Sequence, residues 1–144
     1  MLYIAAFARD ETENLGELLG GTKPPTGAAS LYPDKYGFLW IKRDLFRASF
    51  AQDCSEEEAL VMAAAQKPTS GKCFEEKPTT VGWKKLPVWY QVSENDNMIP
   101  PETQHFFAER MKAKTISLHT GHASMASKPD EIADFIISAA KELL

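Results

Sequence analysis

Pro87-Val88-Trp89-Tyr90-Gln91-Val92-Ser93 and Thr115-Ile116-Ser117-Leu118-His119 are the two stretches whose reading decides the fold. Both are short and rich in β-branched and aromatic side chains, which predicts strands. Between them, Pro100 and Pro101 open a helix that runs to about Lys112, with Phe107 and Met111 one turn apart. Beyond them, Ser127 reads as the cap of a last helix, with Pro129 and Asp130 in its first turn and Lys141 near its end. Ile132, Phe135, Ile136, Ala139, Ala140 and Leu143 give that helix an apolar stripe. Strand, helix, strand, helix is a βαβ unit, parallel and right-handed by the crossover rule. The class is α/β.

Working outward, Leu2-Tyr3-Ile4-Ala5-Ala6-Phe7-Ala8 is a continuous apolar run, as expected of a strand buried on both faces of a covered parallel sheet. It starts at the first residue, so the chain reads as if it begins in the middle of a domain. From Gly20 to Pro33 the composition turns to the Gly, Pro, Thr and Ala of loops. Tyr36 to Ile41 predicts a short strand, and Phe46 and Phe50 share a helical face. Ser55 and Glu58 spell a capping box ahead of the helix formers Ala59 to Ala65, which Pro68 and Gly71 stop. Residues 1–20 therefore read as a first strand and its loop, and residues 21–80 as an aromatic-rich helical cap outside the sheet. Residues 81–144 close the domain with the βαβ unit and its final helix. The expectation is one partial α/β domain, a parallel sheet of about three strands with flanking helices and an inserted cap.

Composition narrows the function. The 144 residues carry 16 Lys and Arg against 20 Asp and Glu, a formal net charge of −4. Without a basic tract, neither a nucleic-acid groove nor a polybasic membrane anchor is expected. No apolar run approaches the ~18–20 residues of a membrane span. The opening run meets Arg9, Asp10 and Glu11 directly and lacks the basic flank of a signal peptide. Cys54 and Cys73 make no CxxC pair, so a reducing, cytoplasmic setting is expected. Cys54 lies among Asp53, Glu56 and Glu57, a neighbourhood that disfavours a thiolate and predicts a structural thiol.

The chemistry sits where the two strands end. Asp96 follows the first and His122 the second, so parallel strands bring both to one edge of the sheet, where open α/β sheets bind ligands. Neighbouring strands lie ~4.8 Å apart, close enough for a carboxylate and an imidazole on adjacent loops to meet. A carboxylate on one ring nitrogen fixes the tautomer and frees the other nitrogen as a general base. Gly121 permits a tight turn before the ring. Glu94-Asn95-Asp96-Asn97 also has the composition of an ordinary turn, and spacing leaves both readings open. His119 and His122 with Asp96 can be drawn as metal ligands, but their spacing does not make them converge, and no metal or cofactor is expected. His105, early in a helix, is expected to face solvent. Tyr36, Trp40, Phe46 and Phe50 are candidates to line an apolar substrate pocket beneath the cap, and equally to hold the cap together.

Leu2 to Asp10, Val88 to Pro100 and Gly121-His122-Ala123-Ser124-Met125 together resemble the later half of the α/β-hydrolase superfamily, in its methylesterase and hydroxynitrile-lyase branch. The resemblance implies that Asp96 is the acid and His122 the base of a Ser-Asp-His triad, in the chain order usual for that fold. It implies a small apolar ester or related carbonyl substrate. The departure is large: no serine here, Ser30, Ser70, Ser124 and Ser127 included, sits in a G-x-S-x-G elbow. The oxyanion donors that accompany the elbow are missing with it. The expectation is an esterase-like chain that supplies acid and base, inactive alone, or a non-catalytic remnant that keeps the pocket. Leu2 to Ala8 would then have an unprotected edge, predicting self-association or pairing with a nucleophile-bearing half.

Overall fold

The computed structural model describes residues 1–20 and 24–144; Gly21, Thr22 and Lys23, part of the stretch read as loop, lie outside them. In chain order come β1 (Leu2–Ile4) and α1 (Leu15–Gly20), then a 3-10 turn at Thr26–Ser30. Next are β2 (Leu31–Pro33), β3 (Phe38–Ile41), α2 (Phe46–Phe50), α3 (Glu56–Ala65), β4 (Thr69–Ser70) and α4 (Lys72–Glu75). The chain closes with β5 (Trp89–Ser93), α5 (Pro101–Arg110), β6 (Lys114–Leu118), α6 (Ser124–Ser127) and α7 (Pro129–Lys141).

The main sheet has the order β1-β5-β6, all parallel, with Tyr3 opposite Tyr90 and Ser93 opposite Leu118. β5 is central and buried at every position. Because side chains alternate across a strand, its residues feed two cores. Val88, Tyr90 and Val92 pack with Ala8 and with Phe107, Ala108 and Met111 of α5 and its end. Trp89 faces the other way, onto Phe135 and Ala139 of α7, with Leu2 and Ile116 beside it. Helices thus cover both faces, as the apolar run of β5 requires. No helix among the described residues is long and apolar enough to cross a membrane.

Three details depart from the sequence reading. The opening strand stops at Ile4, because Ala5 takes a left-handed φ of 42° that a side chain seldom adopts. That turn is held by the Tyr90 hydroxyl on the Ala6 carbonyl and the Arg110 guanidinium on the Ala8 carbonyl. The last helix starts at Pro129, not after a Ser127 cap: Lys128 precedes the proline and is barred from helical geometry (φ −138°), so Ser127 ends α6 instead. Only Ile132, Phe135 and Ala139 of its stripe are buried; Ile136 and Leu143 are exposed. The cap lies outside the main sheet, but it is not purely helical. It holds its own antiparallel sheet, β2-β3-β4, while α3 carries the predicted capping box between Ser55 and Glu58.

Candidate active site

Hydrogen bonding continues past the paired ends of β5 and β6. Glu94 N–H donates to Leu118 O at 2.9 Å and Asn95 N–H to Thr120 O at 3.0 Å. The two loops therefore leave the sheet side by side, which delivers Asp96 to His122. Asp96 Oδ2 lies 2.8 Å from His122 Nδ1. The carboxylate is buried and the imidazole one-fifth exposed. Asp96 Oδ1 accepts the N–H groups of Met98 (2.7 Å) and Ile99 (3.0 Å), and Oδ2 accepts Gln104 Nε2 (2.8 Å). A buried carboxylate with all its lone pairs engaged is held as an acceptor, so it accepts a hydrogen bond from Nδ1–H and leaves Nε2 as the free nitrogen.

The cap sets the other side of the ring. Phe50 meets the His122 imidazole edge-on at 4.7 Å, and Ala123 N–H donates to Phe50 O. Gly121 N–H donates to Asp53 Oδ2 at 2.9 Å, while Gln52 Nε2 donates to Asn95 O at 2.6 Å. Gly121 leaves room for the Gln52 amide: a Cβ there would fall 2.4 Å from Gln52 Oε1, and that side chain would have to shift. On the Asp96 loop, Asn97 Nδ2 donates to Ala48 O and Asn97 Oδ1 accepts the Thr26 hydroxyl. A second buried cluster joins β5 to the His122 loop, through Gln91, Ser93, Thr120 and Ser124.

A cavity of about 990 Å³ lies between the cap and the sheet edge, with His122 on its wall. Phe46 and Phe50 line it, together with Phe7, Met62 and Phe74. Tyr36 and Trp40 do not. Tyr36 is 74% exposed at a turn, under the Lys35 ammonium. Trp40 turns its indole N–H to Asp34 Oδ2 at 3.1 Å, holding that carboxyl below its usual range. The reason is local: β3 pairs within the cap sheet and spends its aromatics there. His105 is half exposed but pairs with Glu94 at 3.0 Å. His119 is exposed at the end of β6, and among the described residues no three His, Cys, Asp or Glu gather as a metal site.

The family model described as the alpha/beta hydrolase family matches residues 2–135. The chain belongs to that family. A curated relative, the probable hydrolase R7 of Phoma sp., is 25% identical over 97% of this chain and 58% of its own length. Among solved structures, a pyrethroid hydrolase from Sphingobium faniae superposes with a TM-score of 0.79 at 19% identity, covering 97% of this chain and 60% of that one. A methylesterase from Arabidopsis gives 0.68 at 19% identity, over 97% and 58%. The chain thus spans about three-fifths of the length of the relatives it matches.

Gln91 and Gln104 are both fully buried, and the sequence carries a signal for each. Gln104 shares one helical face with Phe107, Ala108 and Met111, so it interrupts an apolar stripe, and Gln91 interrupts an apolar strand.

The two cysteines differ as expected of free thiols in different surroundings. Cys54 is buried, and burial, aided by the Asp53 and Glu58 charges, pushes its thiol up. Cys73 is exposed and lines the cavity. Iodoacetamide is expected to modify Cys73 well before Cys54, and an apolar cavity ligand to protect Cys73 alone. Peptide mass spectrometry reads both sites; faster labelling at Cys54 would show that its burial is not maintained.

Proposed function

We propose that this chain carries the acid–base part of an esterase-like site, with His122 as general base and Asp96 as the carboxylate that orients it. The observation that carries the reading is the 2.8 Å bond from Asp96 to Nδ1 of an imidazole on the wall of an apolar cavity. In the complete site, His122 Nε2 takes the proton of a serine hydroxyl as its oxygen attacks the ester carbonyl. The imidazolium then protonates the leaving alkoxide, and water repeats the sequence on the acyl-enzyme. The serine and oxyanion donors come from sequence other than these 144 residues, which contain no G-x-S-x-G. The cavity stands at the upper end of the ~300–1,000 Å³ typical of small-molecule sites. Its volume favours a bulky apolar ester over the smallest ones. The names of two structural relatives, a pyrethroid hydrolase and a methylesterase, support ester chemistry. A cytoplasmic setting fits the two free cysteines.

The test is complementation. Alone, the chain is expected to hydrolyse p-nitrophenyl esters no faster than free imidazole. Mixed with the segment of the Sphingobium relative that it does not match, it is expected to gain turnover that His122→Ala abolishes. Turnover that survives His122→Ala would remove the histidine from the mechanism. The second reading, a non-catalytic module that keeps the pocket, is favoured by a formed cavity in a chain without an elbow. It predicts ligand binding without turnover after complementation.

The same proposal implies a partner. β1 pairs only with β5 among the described residues, so its outer edge is free to accept a strand from the nucleophile-bearing segment or from a second copy. Ile4→Lys is expected to abolish association in sedimentation velocity, and Tyr36→Lys, on an exposed turn, to leave it intact. A monomer at micromolar concentration that also fails to bind the complementing segment would end this part of the proposal.

A further inference from the structure

Gln104 is fully buried, at 0% exposure, in a helix that otherwise turns apolar side chains to the sheet. Both ends of its amide are engaged. Oε1 accepts the Ser93 N–H at 2.9 Å, and Nε2 donates to Asp96 Oδ2 and to Ile99 O, each at 2.8 Å. The Ser93 N–H is a donor, so only the amide oxygen can face it. That settles which end of the amide is which and commits both Nε2 hydrogens to the acid loop. One side chain therefore ties the end of β5, the turn after it and the carboxylate into a single unit.

The carboxylate itself is gripped from both sides. Oδ1 is fixed by two backbone N–H groups, of Met98 and Ile99, which by themselves would let the carboxylate rock about that edge. The Gln104 bond to Oδ2 removes this freedom, and it does so at the same oxygen that meets His122 Nδ1. We infer that Gln104 is a positioning residue, which sets the plane of the Asp96 carboxylate so that Oδ2 stands in line with the Nδ1–H of His122. The inference rests on the reading of Asp96 and His122 as acid and base, but the bond it concerns is observable without turnover.

The experiment follows the hydrogen-bonded Nδ1 proton of His122 by low-field proton NMR on the 144-residue chain. Asp96→Asn is expected to abolish the resonance; its persistence there would overturn the acid–base reading itself. In Gln104→Met, which keeps the volume but not the bonds, the resonance is expected to move upfield and exchange with water roughly tenfold faster, as loss of one supporting hydrogen bond allows. Phe107→Leu, one turn away in the same core, is expected to lower stability and leave the resonance in place. A Gln104→Met protein with a native amide spectrum and an unchanged resonance would overturn the inference while leaving Asp96 and His122 as acid and base. Should Gln104→Met fail to fold, Gln104→Glu decides. Its new carboxyl can donate to Asp96 only when protonated, so the resonance is expected to persist at low pH and fade as that carboxyl ionises. A resonance in Gln104→Glu that does not change with pH would equally overturn it.

Discussion

Asp96→Asn is expected to lower turnover of the complemented enzyme by ~10⁴, the loss seen for the equivalent change in a serine protease. Asparagine presents either an amide N–H or an oxygen at the position of Oδ2. With the amide N–H there, His122 Nδ1 must accept, its proton moves to Nε2, and the nitrogen that should take the serine proton is already occupied. The fold should persist, because the remaining oxygen can still receive the Met98 and Ile99 N–H groups. Stability should nonetheless fall by about 1–3 kcal/mol, since the new amide confronts the Gln104 amide donor for donor. Ester turnover and thermal unfolding of the same preparation check both halves. Unchanged turnover in a folded Asp96→Asn protein would exclude Asp96 from catalysis.

Phe107→Ala is expected to cost about 3–5 kcal/mol, the range for emptying an aromatic site in a core. Phe107 is 1% exposed and sits in the cluster of Val88, Tyr90 and Val92. It meets Phe7 edge-on at 6.2 Å and supports the Arg110 guanidinium, which in turn holds the Ala8 carbonyl. Its removal therefore loosens both the β5 core and the Ala5 to Ala8 turn that walls the cavity. Against a total stability of ~5–15 kcal/mol for an ordinary domain, such a loss leaves little or no folded population. Urea unfolding followed by tryptophan fluorescence measures it. A loss below about 1 kcal/mol would mean that α5 repacks over the site and is not fixed by this ring.

Much of the framework was legible because it depends on local chemistry. The β-branched and aromatic content of residues 87–93, the prolines at 100 and 101 and the Ser55–Glu58 pair each act over a few residues, and the strand, helix and cap formed where they stand. Asp96 and His122 could be placed at one edge because parallel strands carry their ends to the same side. The functions of the aromatics divided differently. Phe46 and Phe50 reached the cavity, whereas Tyr36 and Trp40 were taken by the cap's own turn and sheet. Aromatic composition alone does not reveal which face of a strand will be covered, or by what.

By itself, then, the sequence determined the α/β class, the order of strand and helix, and a carboxylate and an imidazole on adjacent loops. Periodicity, caps and crossover handedness are short-range constraints that each segment carries within it. Only the tertiary structure decided that Gln104 and Gln91 lie buried at the site, that Gly121 makes room for Gln52, and that Ala5 turns the first strand aside after Ile4. Those outcomes depend on groups 11 to 84 residues apart, from the Gln104 oxygen on the Ser93 N–H and the Gln91 oxygen on the Ser124 hydroxyl to the Tyr90 hydroxyl on the Ala6 carbonyl. A buried polar group must find its partner, and which partner it finds is set by packing, not by its neighbours in the chain.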